Sequence, residues 1–397
     1  MKVATRAIDF RSFIVMDVLE RANALERTGQ DIIHLEIGEP DFDTPQCIRE
    51  AGIKAIREGK THYTHSLGIP ELRDAICSRY MDKYGVQVNP ERVLVTSGTS
   101  PAMLLIFSAL LENGDEIIVS DPSYPCYPNI INYVGGNCLF INVYEDDGFQ
   151  FRPEEVAQKI SPQTRAILIN SPSNPTGNLL SAERMQRIAD LGLYTISDEI
   201  YHGLVYEGRE HTILEYTDKA FVLNGFSKLY AMTGWRLGYV ISPPDFVRPM
   251  QKIQQNFFIS ANSVSQWAGL AALKEAQPDV ERMKTIYDQR RHYMIKRLRE
   301  LGFGISVDPV GAFYILARGK HLSNNSYELA FEILEKAGVG VAPGIDFGSG
   351  AEGYLRFSYA NSLENITEGL QRIEEFLKKR DLQTSSQGNL STNKSIF

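Results

Sequence analysis

The sequence has few of the features that mark secreted, membrane or disulfide-stabilised proteins. Its four cysteines form no CxxC pair, so neither a redox motif nor a zinc ribbon is indicated, and we expect reduced, buried thiols. No apolar run approaches the ~18 residues of a transmembrane helix. The N-terminus mixes charges among its apolar residues and lacks the apolar core of a signal peptide. We therefore expect a cytoplasmic protein with no membrane partner.

Basic residues are also too few for a general nucleic-acid surface. The chain has 41 Lys plus Arg against 49 Asp plus Glu, which gives a net charge of −8. A phosphate backbone needs a clear excess of positive charge, so we expect no nucleic-acid partner. The 397 residues are 43% hydrophobic, which is enough for two lobes or one large α/β unit.

Short apolar segments alternate with helical ones through the centre of the chain. The segments predicted as buried strands are 92–95, 116–120, 165–170 and 195–197. The segments predicted as helices are 48–58, 102–111, 153–160 and 182–191. This alternation predicts an α/β fold with a mostly parallel sheet flanked by helices.

The pattern changes after Pro243. Long helical segments are predicted at 246–275 and 280–301, followed by a smaller α+β lobe with strands 313–316 and 354–359 and helices 327–337 and 363–379. The run 338–344 lacks GxGxxG spacing and is predicted to be a turn before a loop that faces the active site. The tail 381–397 is rich in Ser, Thr, Asn and Gln and is predicted to be disordered.

Two strand ends carry candidate binding chemistry. The first strand runs through Ser97, Gly98 and Thr99 into a helix, where free amides and hydroxyls could bind an anion. An ordinary capped turn is the alternative. Strand 195–197 ends at Asp198, at the edge where open α/β sheets bind ligands. A helix cap and a metal site are the alternatives there, and Asp198 and Glu199 should point to opposite faces, so we expect no shared metal.

A lysine follows the next apolar strand. Lys228 lies among apolar and aromatic neighbours, where loss of hydration would lower its pKa and give the free amine that Schiff-base chemistry needs. An exposed loop lysine is the alternative. Arg236, eight residues further on, could supply a fixed positive charge for phosphate.

The lysine segment 223–239 and five further motifs resemble the class I/II aminotransferases of the pyridoxal-phosphate fold type I superfamily, aspartate aminotransferase among them. The motifs are GEPDF at 38–42, GIPELR at 68–73, DPSY at 121–124, NSPSNPTG at 170–177 and LRFS at 355–358. The resemblance extends from Phe13 to Leu377 and agrees in order and spacing.

The resemblance implies a fold and an activity. The fold would have a seven-stranded, mostly parallel sheet in a large domain over 46–284, a small domain over 285–380 and an N-terminal segment 1–45 that joins the small domain. The activity would be pyridoxal 5′-phosphate-dependent transfer of an amino group from an L-amino acid to a 2-oxo acid by a ping-pong route, with 2-oxoglutarate as the expected acceptor.

The resemblance also implies roles for single residues. Lys228 would hold the cofactor covalently and move the proton at the substrate Cα. Asp198 would pair with the ring nitrogen and keep it protonated, so that the ring can accept electrons. Asn174 and Tyr201 would bond the phenolic oxygen, and Tyr124 would stack on the ring.

Phosphate and carboxylate contacts complete the implied site. Arg356 would bind the α-carboxylate in a planar fork, with Gly38 and Asn174 beside it. Tyr63 would reach in from a second subunit, which implies a homodimer. The phosphate would be bound by Ser97, Gly98, Thr99, Arg236 and that Tyr63.

Three positions differ from common family patterns. Tyr124 stands where tryptophan is commoner, Gly225 stands where a phosphate-binding serine is frequent, and Ser100 stands where one aspartate-using branch has a lysine. Aspartate, alanine, aromatic and branched-chain donors therefore all remain candidates. A C–S β-lyase or a related lyase on the same scaffold is an alternative, and a pyridoxal-phosphate-sensing regulator is a remote one.

Other residues near the motifs were considered for chemistry or for lining the pocket. The histidines could carry protons near neutrality, although structural or rim roles are the usual ones. The apolar and aromatic residues could line the substrate pocket or belong to the core. These residues are His62, His65 and His202 in the first group and Phe13, Ile14, Tyr127, Phe313 and Tyr314 in the second.

Overall fold

The computed structural model describes residues 2–392, which contain twelve strands and thirteen α-helices. The strands are β1 Ile33–His34, β2 Val93–Thr96, β3 Glu116–Asp121, β4 Asn137–Asn142, β5 Thr164–Asn170, β6 Tyr194–Asp198, β7 Ala220–Gly225, β8 Gly238–Ile241, β9 Tyr314–Arg318, β10 Val339–Gly340, β11 Ala342–Pro343 and β12 Tyr354–Ser358. The helices are α1 Thr5–Ile8, α2 Ile14–Glu26, α3 Gln46–Arg57, α4 Pro70–Tyr84, α5 Thr99–Leu110, α6 Cys126–Tyr133, α7 Pro153–Lys159, α8 Ala182–Ala189, α9 Pro244–Phe257, α10 Ser263–Glu275, α11 Gln277–Glu300, α12 Ser326–Ala337 and α13 Leu363–Thr392.

Seven strands form the central sheet, in the order β2-β8-β7-β6-β5-β3-β4. The pairs β3–β4, β3–β5, β5–β6 and β6–β7 are parallel, whereas β8 is antiparallel to both β2 and β7. The prediction of a mostly parallel seven-stranded sheet is confirmed. β2 and β7 are buried along their whole length, as expected for strands covered by helices on both faces.

The parallel register brings polar strand ends to one edge. Asn170 at the end of β5 lies opposite Asp198 at the end of β6, and Asp198 lies opposite Leu223 of β7. Gly225 then ends β7, three residues before Lys228. The edge where ligands bind in open α/β sheets therefore carries both candidate residues, Asp198 and Lys228.

The C-terminal part of the chain has its own sheet. Strands β11, β12 and β9 are antiparallel, and Arg356 lies in the middle of β12. β1 pairs in parallel with β10, so the N-terminal segment joins this part of the fold. Asp346 fixes the start of α2, because its carboxylate accepts hydrogen bonds from the amides of Ile14 (3.0 Å) and Val15 (3.1 Å). The division of the chain into domains stays a prediction.

Two sequence predictions need correction. The segment 246–275 is not one helix: α9 ends at Phe257, Ile259 has a φ of 63°, and Asn262 caps the start of α10 by accepting a hydrogen bond from the amide of Ser265. The run 338–344 is not a simple turn. Gly338 ends α12 in the left-handed conformation, and the short strands β10 and β11 follow it.

Helix α13 continues to Thr392, residues 393–397 lie outside the described residues, and the disorder predicted for the tail stays a prediction. Within residues 2–392, no helix has both the length and the apolar character needed to cross a membrane.

Candidate active site

A cavity of about 360 Å³ lies at this edge of the central sheet, between the sheet, α2 and β12. It contains most of the residues that the sequence predicted for the site. A larger cleft of about 700 Å³ lies between α4 and α11 and contains none of them. The predicted residues that line the smaller cavity are Gly38, Thr99, Tyr124, Asn174, Asp198, Tyr201, Lys228, Arg236 and Arg356.

Lys228 is positioned by the backbone of a distant segment. Its Nζ donates a hydrogen bond of 2.6 Å to the carbonyl oxygen of Gly38. Burial lowers the pKa of Lys228 to about 8, and the charges of Arg356 and Arg236 act in the same direction, while that of Glu39 opposes them. About a tenth of this lysine is therefore the neutral, nucleophilic amine at pH 7, far more than for an ordinary lysine.

Asp198 lies at the end of β6 and is almost completely buried. Burial raises its pKa to about 6, while the hydrogen bond from Tyr127 and the amide of Ile200 hold it lower than burial alone would. Tyr127 OH donates to Oδ2 over 2.7 Å, and the Ile200 amide donates to Oδ1 over 3.1 Å. The carboxyl group is thus mostly ionised at pH 7 although little water reaches it.

A loop and a helix start form the corner predicted to bind phosphate. Gly98 has a φ of 98°, and α5 begins at Thr99. A Cβ at position 98 would lie 2.7 Å from Nη2 of Arg236, so only glycine lets the arginine approach this loop. Arg236 is itself held by a 3.1 Å hydrogen bond to the carbonyl of Thr233. Ser97 and Gly98 do not line the cavity itself.

Arg356 lies under the opposite end of the cavity. Its Nη1 donates to Oδ1 of Asn174 over 2.9 Å, and its Nη2 donates to the carbonyl oxygen of Glu36. The guanidinium lies over the rings of Tyr314 and Phe347, 4.3 and 4.8 Å from their centroids. Its Nε is buried and has no hydrogen-bond partner among residues 2–392. The planar fork is therefore fixed but retains donor capacity for a ligand.

Hydrogen bonds link Arg356 to Asp198. Asn174 accepts from Arg356 through its side chain, and its amide donates to Oδ1 of Asn170 over 2.8 Å. Asn170 in turn donates to the carbonyl of Asp198 over 2.9 Å. Tyr201 OH shares a 2.8 Å hydrogen bond with Tyr314 OH. Arg356 and Asp198 thus belong to one chain of hydrogen bonds, and the Tyr201–Tyr314 pair lies beside it in the same cavity.

The three cations that line the cavity share one property. Within the described part of the chain, none of Lys228, Arg236 and Arg356 has a carboxylate within ion-pair distance. Each instead donates to a main-chain carbonyl, those of Gly38, Thr233 and Glu36 respectively. The positive charges are held in place without a directly paired carboxylate. Because Glu39 and Asp198 also line the cavity, three cations share it with two carboxylates, and the excess of positive charge suits an anionic ligand.

Sequence reasoning missed several of these contacts. The sequence offers Tyr127 and Tyr314 as pocket lining or as core, yet Tyr127 donates to Asp198 and Tyr314 contacts both Tyr201 and Arg356. Asn170 was not considered outside its motif, although its position at the end of a parallel strand is a signal that could have identified it. No sequence pattern could have identified Glu36, because it contributes a main-chain carbonyl, which every residue has.

Several considered residues lie outside the cavity. Tyr63 is 82% exposed on a loop of the surface. His62, His65 and His202 do not line the cavity, and burial lowers the pKa of His202 to about 4. Among residues 2–392, no group of three or more His, Cys, Asp or Glu side chains could hold a metal ion.

Known proteins resemble this chain over nearly its whole length. The family model described as aminotransferase class I and II matches residues 30–373. A (5-formylfuran-3-yl)methyl phosphate transaminase from Methanocaldococcus jannaschii is 43% identical over 95% of this chain and 100% of its own. An aspartate aminotransferase from Pyrococcus horikoshii is 40% identical over 95% of this chain and 97% of its own. The solved structure of Thermus thermophilus aspartate aminotransferase with maleate has a TM-score of 0.91 at 35% identity and covers 94% of this chain and 99% of its own.

The bond from Tyr127 to Asp198 gives a first testable prediction. Tyr127→Phe removes a hydrogen bond to a charged acceptor, which is worth about 1.5–3 kcal/mol. The pKa of Asp198 should therefore rise above its value of about 6, because that bond favours the ionised form. Titration of the carboxyl carbons by NMR on ¹³C-aspartate-labelled protein measures this directly.

The matched control is Tyr354→Phe. Tyr354 donates a 3.0 Å hydrogen bond to Glu145, a carboxylate outside the cavity lining, so its loss should leave the titration of Asp198 unchanged. An Asp198 titration that is the same in Tyr127→Phe as in the parent protein would contradict the assignment of this bond.

Proposed function

The chain belongs to the class I and II aminotransferases, and we propose that its cavity holds pyridoxal 5′-phosphate on Lys228 while an amino group passes from an amino acid to a 2-oxo acid. The observation that carries the proposal is the set of three cations without carboxylate partners that face one cavity together with the buried Asp198. The relatives named above are aminotransferases, so the lyase alternative is not favoured.

The residues fit the three functional groups of this cofactor. The buried amine of Lys228 suits the aldehyde, and Asp198, mostly ionised at pH 7, suits a protonated ring nitrogen. Arg236 and the start of α5 at Gly98 and Thr99 suit the phosphate, with Ser97 beside them. Tyr124 lines the cavity and offers a ring for stacking. When bound, the cofactor supplies a ring that accepts electrons from the substrate Cα.

Lys228 is the residue that we propose moves the proton at the substrate Cα. Its low pKa lets it accept and return a proton near neutral pH. Its hydrogen bond to Gly38 keeps the amine on the side of the cavity where Arg356 lies. Tyr201 and Asn174 are proposed to donate to the phenolic oxygen of the cofactor.

Arg356 is proposed to bind the substrate α-carboxylate. Its guanidinium is fixed by two aromatic rings and by Asn174, so little conformational entropy is lost when a carboxylate binds. The buried Nε without a partner is a donor that a ligand carboxylate could satisfy. Gly38 is proposed to lie beside that carboxylate. A Cβ added at position 38 would lie 2.1 Å from Tyr314 OH, so there is no room for a larger residue here.

The part of the cavity wall that α2 contributes indicates the side-chain class of the substrate. Helix α2 and the residue before it contribute apolar side chains to this wall: Phe13, Val15, Met16 and Leu19. The three lining cations are already assigned to the cofactor and the α-carboxylate, and no fourth lysine or arginine of the described chain lines the cavity. A second substrate carboxylate would lose its hydration here without an ionic partner. We therefore propose apolar or aromatic substrates ahead of aspartate.

A homodimer is proposed because of the loop that carries Tyr63. Thr64 accepts a 2.9 Å hydrogen bond from Gln266, and Ser66 accepts one of 2.8 Å from Gln251, so the loop is tied to α9 and α10. Tyr63 is nevertheless 82% exposed, and Phe257 at the end of α9 is 68% exposed. Exposed aromatic rings on a well-held surface favour a protein interface.

Covalent labelling tests the role of Lys228. Reduction with borohydride after addition of pyridoxal phosphate should leave a pyridoxyl group on Lys228, which peptide mapping identifies. With a pKa of about 8, Lys228 should carry on the order of a hundredfold more free amine at pH 7 than an ordinary lysine, so labelling should rise as the pH passes through 8. Lys228→Arg should abolish the label and the visible absorbance band, whereas Lys219→Arg, at an exposed site, should change neither. A label confined to surface lysines would refute the proposal.

A substrate panel tests the apolar wall. We expect phenylalanine and leucine to have kcat/KM values at least about tenfold above aspartate, because an unpaired buried charge costs more than 1.4 kcal/mol. On the same reasoning, pyruvate should serve at least as well as 2-oxoglutarate. Met16→Lys should shift the preference towards aspartate by adding a cation to the wall, and Val3→Lys, away from the cavity, should not. A parent enzyme that prefers aspartate would contradict the substrate proposal but not the cofactor proposal.

Mixed dimers test whether Tyr63 serves the other subunit. Tyr63→Ala should weaken cofactor binding by roughly 10–100-fold, the loss expected for one hydrogen bond to a charged group. A dimer of one Lys228→Ala and one Tyr63→Ala subunit should then regain one intact site, because the intact Tyr63 and the intact Lys228 meet in the same site. Two affinity tags allow this dimer to be purified. If its activity does not exceed that of the Tyr63→Ala homodimer, Tyr63 does not act across the interface.

A further inference from the structure

One short segment supplies the acceptors for two of the three cavity cations. The carbonyl of Glu36 accepts from Nη2 of Arg356, and the carbonyl of Gly38 accepts from Nζ of Lys228 over 2.6 Å. The position of segment 34–38 therefore sets where both cations lie. The factors that fix this segment are relevant to function although its side chains at 34 and 36 do not line the cavity.

The backbone at the start of the segment is tied on two sides. The amide of Leu35 donates to the carbonyl of Gly340 in β10 over 3.0 Å, and the carbonyl of Leu35 accepts from the amide of Ser358 over 2.7 Å. The side chain of Asn361 donates to the carbonyl of His34 over 2.9 Å. Residues 34 and 35 are thus attached to β10 and to the end of β12, the strand that carries Arg356.

The side chain of Glu36 fixes the peptide group that follows it, the one that contains the Glu36 carbonyl. It is completely buried, and its Oε1 lies 2.7 Å from Nδ1 of His34. Its Oε2 is buried without a partner among the described residues and packs on Gly340, where a Cβ would lie 2.1 Å from it. The side chain of His34 is 25% exposed and also reaches Glu26 of α2 at 3.3 Å. The hydrogen bond that Nδ1 of His34 donates to Glu36 is the main factor that raises the pKa of His34 to about 9, so the imidazole is charged near neutral pH.

A buried carboxylate with one charged partner and one unsatisfied oxygen does not favour folding by itself. Desolvation of such a pair can exceed its Coulombic gain, and an apolar pair of similar volume is often at least as stable. A buried pair of this kind does define one geometry. The geometry defined here is that of the peptide whose carbonyl accepts from Arg356.

We propose that the pair formed by His34 and the buried Glu36 is a positioning device that sets the orientation of Arg356 for the substrate α-carboxylate through the Glu36 carbonyl. The inference rests on the proposed function, in which Arg356 binds that carboxylate. Neither His34 nor Glu36 contacts the substrate. Their contribution is to hold the acceptor that orients the guanidinium.

The chain contains a matched control pair. Nδ1 of His211 lies 2.7 Å from Oε2 of Glu215, the same atom types at the same distance as in the His34–Glu36 pair. Neither residue lines the cavity, and neither is attached to Arg356 or Lys228. Glu215→Gln therefore makes the same chemical change as Glu36→Gln at a place where no effect on the site is expected.

The experiment measures binding of 3-phenylpropanoate to the holoenzyme. This compound has a carboxylate and an apolar tail but no amino group, so it does not react, and its binding can be followed through the absorbance of the bound cofactor. We expect Glu36→Gln and His34→Gln to weaken its binding by about tenfold. KM for the amino donor should rise more than kcat falls, and cofactor affinity should be unchanged. Glu215→Gln should change none of these values.

A double-mutant cycle separates positioning from a general structural role. Arg356→Lys should weaken binding strongly by itself, and adding Glu36→Gln to it should cause little further loss, because the group that Glu36 positions has gone. Full additivity of the two changes would overturn the inference, and so would equal behaviour of Glu36→Gln and Glu215→Gln. His34→Gln removes the charged partner of Glu36 and leaves a neutral side chain in its place, so it provides the same test if Glu36→Gln does not fold.

The outcome also separates this inference from the proposed function. If the parent protein binds no cofactor, or if Arg356→Lys leaves 3-phenylpropanoate binding intact, the assignment of Arg356 is wrong and the inference falls with it. If Arg356→Lys weakens binding but Glu36→Gln and His34→Gln do not, only the positioning role is wrong.

Discussion

Neutral main-chain acceptors hold the three cations of the cavity, and the chemistry of the site depends on this. A carboxylate partner would position Lys228, Arg236 or Arg356 equally well, but it would also neutralise the charge that a ligand needs. Carbonyl oxygens orient the donors and leave the net charge in place. The cost is incomplete compensation for lost hydration, which is visible in the lowered pKa of Lys228. An anionic ligand would supply the missing compensation.

The fold delivers two of these acceptors from a distant part of the chain. Glu36 and Gly38 belong to the N-terminal segment, whereas Arg356 lies in β12 and Lys228 in the loop between β7 and β8. The third acceptor, Thr233, lies in that same loop, three residues before Arg236. The parallel sheet positions Asp198, because the ends of β5 and β6 bring Asn170 next to it. The hydrogen bonds from Asp198 through Asn170 and Asn174 to Arg356 then connect the two ends of the cavity. A displacement of Asp198 is thus expected to change the position of Arg356, and the reverse.

The sequence predicted the parts of this arrangement that depend on local pattern. Buried strands that end in Asp198 or lead to Lys228 follow from apolar runs bounded by polar residues, and the order of the motifs predicted the family. It did not predict contacts that depend on tertiary structure. The partner of Asp198 comes from a helix that starts five residues after β3, and the contact of Tyr314 with Arg356 requires two paired strands. Break points such as Ile259, where φ is positive, leave no mark in hydrophobic periodicity.

The distribution of unsatisfied polar atoms supports the same picture of the site. Six buried side-chain atoms in residues 2–392 lack a hydrogen-bond partner, and each needs a physical reason. Two of them, Nε of Arg356 and Oε2 of Glu36, belong to residues that are hydrogen-bonded to each other through the Glu36 carbonyl. Unsatisfied groups lower stability, so two of them on a pair of hydrogen-bonded residues are better explained by function than by packing. Arg356 lines the cavity, whereas Glu36 does not and its unsatisfied atom packs on Gly340. The buried Glu36 is therefore better explained by the hydrogen bond that its main-chain carbonyl accepts from Arg356 than by a ligand bound to its side chain.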